Sequence, residues 1–476
     1  MEEVVFIHTG GRKSDPEDLR SKALHRSDLL EDESDDDLGF DGEGVSVLVR
    51  DDGMVGPHLD FKGRLFNDPR LPFDVSETHG DGVAGIIGAA GSVEKEGRGM
   101  APGANIYATQ YEASFLDNTL DLHIEDHVLY TNSSYSNGCN DGYTPNAAEV
   151  DRQIHEYPTL LHVFSAGNSN NNNCGYGAGN DWGNITGGHK QAKNSIATAN
   201  VNPQGEIMNS SSRGPATDGR IKPDIAANGN NNYSTDPNNN YEPFGGTSGA
   251  APCVAGVAAQ LNEAYRSQFG EEPNSALLKA AMLNSANDAG VEGPDFVYGF
   301  GLLDAFGAYE IIRDERFEEA TIAGVDDTLE YLIPVPAGVE RVKVMLYWPD
   351  VPGQPMAVKA LVNDLNLSLE KDGNEYLPLV LDHRPNRTTL DDPAVPGIDT
   401  LNNVEQVVIQ NPEEGTYTAR ISAKELPSLT QDFVLVYEYE YPAEEDPDFA
   451  WLAPEPYSLQ NFTVSKRVFV EWINNV

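Results

Sequence analysis

Gly246-Thr247-Ser248-Gly249-Ala250-Ala251-Pro252 is the stretch on which the reading of this chain turns. It sets a serine among small residues at the mouth of a helix-forming run, Val254 to Tyr265. A serine so placed is bare on its inner side, and its own backbone N–H is one of the unpaired donors of a helix start. An attacking hydroxyl needs both features: access, and an amide waiting for an oxyanion. Taken alone, the segment fits equally a serine that merely caps its helix. The rest of the chain has to decide.

Two segments do so. Val45-Ser46-Val47-Leu48-Val49-Arg50-Asp51-Asp52-Gly53 is an apolar, β-rich run that ends in an acid and a glycine turn. It delivers a carboxylate to the C-terminal end of a strand, where α/β sheets place their chemistry. Thr78-His79-Gly80-Asp81-Gly82-Val83-Ala84-Gly85-Ile86-Ile87-Gly88 opens a helix with a histidine, and its small residues let that helix lie close on a sheet. A lone histidine is usually structural, but His79 stands at a glycine-flanked helix entrance.

The order Asp51, His79, Ser248 and the residues around each resemble the subtilisin-like serine peptidases, the subtilases. Val-Leu-Val-Arg-Asp51-Asp-Gly is similar to the family's strand-Asp-Ser/Thr-Gly. His79-Gly-Asp-Gly-Val-Ala-Gly is similar to its His-Gly-Thr-His-Val-Ala-Gly, and Gly-Thr-Ser248-Gly-Ala-Ala-Pro to its Gly-Thr-Ser-Met-Ala-x-Pro. Further matches are Gly99 to Ala104, Val163-Phe164-Ser165-Ala166-Gly167-Asn168, Ser211 to Pro215 with Lys222 to Ile225, and Gly299 to Ala305. The resemblance runs from about Asp41 to Ile312. It implies an α/β fold, a subtilisin-like parallel sheet flanked by helices, and a serine endopeptidase working through an acyl-enzyme.

The resemblance assigns roles residue by residue. His79 takes the Ser248 proton and returns it to the leaving amine, and Asp51 orients the imidazole and stabilises its charged form. Asn168 donates its side-chain N–H to the oxyanion beside the backbone N–H of Ser248. Asp52 stands where the family has Ser or Thr. Strand alternation points Asp51 and Asp52 in opposite directions, so one of the two is expected to face His79. A second carboxylate nearby would favour the protonated imidazole. The family's second histidine is Gly82 here, its threonine is Asp81, and its usual methionine after the serine is Gly249. The local hydrogen bonding is therefore expected to differ.

Subtilases bind peptides as an added strand, which the resemblance places on Val128 to Ser136. Two registers are open. Thr131-Asn132-Ser133 favours Ser133 as the family's serine, with Tyr135 in place of a wall glycine. In the other register Ser134 is that serine and Ser136 replaces the glycine. Ser165, Ala166 and Gly167 form the opposite wall. No charged residue is evident in the pocket, which points to a medium apolar or polar substrate side chain.

The chain has 76 acidic against 31 basic residues, a net charge of −45. Such a balance argues against nucleic acid, which needs a basic face. It also repels itself, so structural calcium or a salty habitat is expected; no organic cofactor is. No apolar run approaches the ~18–20 residues of a membrane span. Met1-Glu2-Glu3 lacks the basic and apolar regions of a secretory leader, which suggests a mature or trimmed form of a secreted or cell-surface protein. A monomer acting on polypeptides is expected. Of three cysteines, Cys139 follows the substrate strand and Cys174 follows the Asn168 loop. In the subtilase sheet those strands are neighbours, so a Cys139–Cys174 disulfide is expected in an oxidising compartment. Cys253 reads as a small buried residue.

Four segments follow from this pass: 1–37, an N-terminal segment and acidic linker with a solvated run from Leu30 to Leu38; 38–318, the catalytic domain; 319–443, a β-sandwich or jelly roll; and 444–476, the start of a further β module. The Asn-rich stretches 170–188 and 228–240 read as rim loops. The third segment rests on short alternating strands such as Val342 to Tyr347 and Thr416 to Ile421. Over about 320–440 it resembles the C-terminal β-domain of alkaline, oxidation-tolerant subtilases. That likeness implies calcium there, with Asp364 and Asn366 as oxygen donors. Two rival functions stay open: a catalytically inert subtilase-fold binding or adhesion protein, and a processing protease of narrow specificity.

Overall fold

The computed structural model describes residues 17–31, 38–69, 77–111, 116, 118–139 and 142–442. The 444–476 segment therefore lies outside the described residues. Seven strands form the central sheet: β1 Ser46–Asp51, β2 Leu65–Asn67, β3 Asn105–Gln110, β4 Val128–Ser133, β5 Leu161–Ser165, β6 Ile196–Val201 and β7 Ile225–Asn228. Their order is β2-β3-β1-β4-β5-β6-β7, and every pairing is parallel. β1, β4, β5, β6 and β7 are buried along their whole length. That is why they read as near-continuous apolar or small runs and not as alternations.

β1 lies between β3 and β4, so the strand order reverses on either side of it. Ligands of open α/β sheets bind outside the carboxyl ends of strands at such a point. Asp51 closes β1 and Ser133 closes β4 at that place.

Of the helices around the sheet, the third and the sixth are rich in small residues. α1 is Glu17–Leu24, α2 Asp28–Glu31, α3 His79–Gly88, α4 Thr119–Asp126, α5 Pro145–Glu156, α6 Thr247–Phe269, α7 Ser275–Asn284 and α8 Ala305–Arg313. α6 starts one residue before Ser248 and is longer than the run from which it was expected. In α3, a Cβ on Gly85 would overlap Ser234 and Thr235, so the helix packs closer than any side chain permits.

Two expectations about loops change. Leu30 is fully buried, and His25 bridges the Leu303 carbonyl and the Asn228 N–H, each at 2.9 Å. The 17–31 segment is therefore fastened to the core, and the acidic run begins on a buried residue. The 228–240 stretch is not rim loop throughout. It holds β8 Asn232–Asp236, paired in a hairpin with β9 Asn240–Phe244, and Asn228 and Asn232 are buried and bonded to each other at 2.7 Å. Asn184 and Trp182 are likewise buried within 170–188. Their amide and indole groups are polar, and it was polarity that suggested solvent.

The C-terminal unit holds two four-stranded antiparallel sheets and a short antiparallel pair, β15 Leu379–Val380 with β16 Val395–Pro396. The first orders β10 Phe317–Ile322, β19 Gln431–Glu440, β12 Arg341–Tyr347 and β17 Val404–Gln410. The second orders β11 Thr328–Val335, β18 Gly415–Glu425, β13 Asp364–Lys371 and β14 Asn374–Tyr376. Val342, Val344 and Leu346 face the sandwich core, whereas Met345 and Tyr347 join the core of the catalytic unit. β12 is thus buried on both faces, and α7 covers its far side. Phe317 opens β10 and also packs on Tyr265 and Phe269 of α6. The strand therefore starts just inside the segment expected to be catalytic.

Cys139 and Cys174 form a disulfide with Cα atoms 5.3 Å apart, closing a loop with a sequence separation of 35. Cys253 is buried in α6. Loop-closure entropy gives a cross-link of this span about 4 kcal/mol. Replacing both Cys139 and Cys174 by alanine is expected to lower the unfolding free energy by about 3–4 kcal/mol, measured by denaturant titration.

Candidate active site

Asp51 and His79 meet directly. Asp51 Oδ1 lies 2.5 Å from His79 Nδ1 and also accepts the Asp52 N–H at 2.9 Å. Asp52 does not point away from the histidine residue altogether. Its carboxylate accepts the backbone N–H of His79 at 2.9 Å and of Gly80 at 2.8 Å. The two acids thus divide the residue: Asp51 takes the ring and Asp52 caps the unpaired first turn of α3. Burial works against the His79 imidazolium. The Asp51 hydrogen bond and charge, with Asp52 behind them, outweigh it and hold His79 above its usual value. Burial pushes the Asp51 carboxyl up, against the pull of His79.

The departures in the histidine motif have a structural account. A Cβ on Gly82 would overlap the Phe244 ring, and that ring lies edge-on to His79 with centroids 5.0 Å apart. Phe244 thus fills the space over Gly82 next to the His79 ring. Asp81 is buried and accepts the Gly56 N–H at 2.7 Å. Burial, with Asp52 and Asp236 nearby, pushes its carboxyl up to about 7.

Ser248 sits in the first turn of α6, after Gly246 at φ 81°. Its Oγ donates to the Ser134 carbonyl at 3.0 Å, and Ser134 Oγ donates back to the Ser248 carbonyl at 3.2 Å. Pro252 explains the second bond. A proline has no N–H for the carbonyl four residues earlier, so the Ser248 carbonyl is left for Ser134. Ser134, and not Ser133, is therefore the serine in contact with Ser248. Tyr135 stacks on Tyr111 with ring centroids 4.5 Å apart.

Asn168 Oδ1 accepts the Thr247 N–H at 2.9 Å and the Thr247 hydroxyl at 3.1 Å. This fixes the amide so that Nδ2 faces outward as a donor. A Cβ on Gly246 would stand 3.0 Å from that Nδ2. Gly167, at φ 118°, lets the wall approach Thr186.

Asp364 is ion-paired with Lys359 at 3.1 Å, and Asn366 sits in β13 opposite Ser422. Among the described residues no three His, Cys, Asp or Glu side chains are grouped to hold an ion. Four contributors near these residues were not legible in sequence: the Asp52 cap, Phe244, Thr186, and Lys190, whose ammonium donates to Ser136, Ser165 and Thr186. The last two contributors lie in Thr186-Gly187-Gly188-His189-Lys190, where small residues before a lysine were the available signal.

The Peptidase_S8 model, described as the subtilase family, matches residues 42–301. The chain belongs to the subtilase family. C5a peptidase of Streptococcus pyogenes serotype M6 is 33% identical over 138 residues, 26% of this chain and 12% of that relative. Subtilisin DY of Bacillus licheniformis is 27% identical over 278 residues, 56% of this subtilase and 91% of that one. This subtilase thus spans only a small part of C5a peptidase. The solved prenylagaramide maturation protease PagA is 23% identical with a TM-score of 0.46, covering 56% of this chain and 93% of that one. Among the described residues no helix is long and apolar enough to cross a membrane.

Proposed function

We propose that this subtilase is a secreted serine endopeptidase with Asp51, His79 and Ser248 as its triad. The observation that carries the reading is the Asp51–His79 bond, together with a helix-start serine whose neighbour Thr247 holds the Asn168 amide. In the reaction, Ser248 Oγ attacks the substrate carbonyl as His79 Nε2 takes its proton. The oxyanion receives hydrogen bonds from Asn168 Nδ2 and the Ser248 N–H. His79 then protonates the leaving amine, and water hydrolyses the remaining ester by the same route. The Ser248–Ser134 bond is one the nucleophile exchanges on substrate binding, since catalytic hydrogen bonds commonly tighten only in the complex.

The peptide adds as a strand along Ser133 to Ser136, and its side chain enters between that segment and Ser165-Ala166-Gly167. The Cys139–Cys174 disulfide braces both walls and suits an oxidising compartment. A fluorophosphonate probe tests the reading: it is expected to label the protein but not its Ser248→Ala variant. A folded protein that takes up no probe would overturn it. Asn168→Ala is expected to lower kcat by about 10²–10³ with KM little changed, the range known for an oxyanion donor of subtilisin. The measurement is steady-state kinetics on one fluorogenic peptide.

A further inference from the structure

Lys190 stands in the short turn Gly188–Gln191 and is completely buried. Its Nζ donates to Ser136 Oγ at 3.0 Å, Thr186 Oγ1 at 3.2 Å and Ser165 Oγ at 3.3 Å. Ser136 and Ser165 belong to the two opposing walls of the substrate pocket, so the ammonium joins them from below.

The other buried lysines behave differently. Lys22 pairs with Glu31. Lys193 pairs with Asp151 and Asp350 at 3.4 and 3.1 Å. Lys222 and Lys279 share Asp224, and Lys343 pairs with Glu438 and Glu440. In a chain with 76 acids, Lys190 alone among these has no carboxylate partner among the described residues. Burying a charge is costly unless it is paired. Burial without that partner pushes the Lys190 ammonium down to about 7. Ser136, one of its three hydroxyl partners, is exposed, so one hydroxyl separates the ammonium from the cleft.

We infer that Lys190 reads the substrate side chain just before the scissile bond and selects a carboxylate there, glutamate or aspartate. The inference rests on the peptidase reading above. The incoming carboxylate supplies the missing counter-charge, and the three hydroxyls can turn to donate to it, since each is both donor and acceptor. It also departs from the medium apolar or polar side chain expected from sequence, where no charge was evident at the pocket.

The test uses the intact protein and fluorogenic peptides identical except for Glu, Gln, Ala, Phe or Lys at that position. The kcat/KM for Glu is expected to exceed that for Gln by about 10- to 100-fold, the range for a charge-assisted bond in a desolvated site. In Lys190→Met the Glu/Gln ratio is expected to collapse to about one, whatever the overall rate. The wild-type ratio stands by itself should that variant fail to fold. A wild-type ratio of about one or less, with Ala or Phe peptides cleaved and Ser248 labelled by fluorophosphonate, would overturn the inference and leave the peptidase reading intact. No cleavage and no labelling would overturn both.

Discussion

Replacing Ser248 by alanine is expected to lower kcat by about 10⁶ while leaving the protein folded, the loss known when the nucleophile of subtilisin is removed. The two halves of that expectation have separate causes. The hydroxyl makes one hydrogen bond, to the Ser134 carbonyl, and a single such bond contributes about 1 kcal/mol. Alanine is also a good helix former at a position already inside α6. The thermal unfolding midpoint should therefore move by only a few degrees at most. Chemistry loses far more, because no other hydroxyl occupies that place in the helix start. Some rate over water is expected to survive, since Asn168 Nδ2 and the backbone N–H at position 248 remain. Steady-state kinetics on a peptide substrate, with a thermal melt on the same sample, reads both halves. Turnover within about 100-fold of the parent would remove Ser248 as the nucleophile.

The catalytic unit was legible because its signals are local. A strand buried on both faces writes a continuous apolar run, as in Val45 to Val49, and a close-packed helix writes small residues, as in Gly82 to Gly88. Asp51, His79 and Ser248 each sit at the end of such an element, but it was the resemblance to the subtilases that joined them into one expected site. What was not legible depends on contacts between distant segments. Ser133 and Ser134 differ by one position, and only the meeting of Ser134 with the carbonyl freed by Pro252 separates them. Gly82 looked like a loss until Phe244, from a hairpin far along the chain, was seen to need its space. Lys190 lies just beyond the 170–188 stretch read as a rim loop, and nothing in sequence shows that its ammonium meets Ser136 and Ser165. The same reason hid the N-terminal helices: His25 is polar, yet it is held by Leu303 and Asn228 in the interior.

Asp51→Asn is expected to lower kcat/KM by about 10⁴, the loss that follows when a triad acid is neutralised without changing its shape. The surroundings of Asp51 explain why neither orientation of an asparagine amide can rescue it. Oδ1 accepts both the His79 ring N–H and the Asp52 N–H, while Oδ2 is buried with no partner among the described residues. With its oxygen at the Oδ1 position, the amide keeps the ring tautomer but loses the charge that stabilises the imidazolium. It also buries an NH₂ group where no acceptor waits, a further cost. With its NH₂ group there, it faces the Asp52 N–H donor to donor and turns the ring into the tautomer that cannot accept the Ser248 proton. The pH profile separates this account from a loss of folding. In the parent, Asp51 and Asp52 together hold His79 above its usual value despite burial. The active, neutral imidazole therefore accumulates only as pH rises through a midpoint above the ordinary imidazole value. Neutralising Asp51 removes the largest support for the charged ring, so the midpoint of the residual activity is expected to move to lower pH. Kinetics of the folded variant from pH 5 to 9 would read it, on the order of that window. An unchanged midpoint, or a loss below about tenfold, would mean that Asp51 does not serve the imidazole.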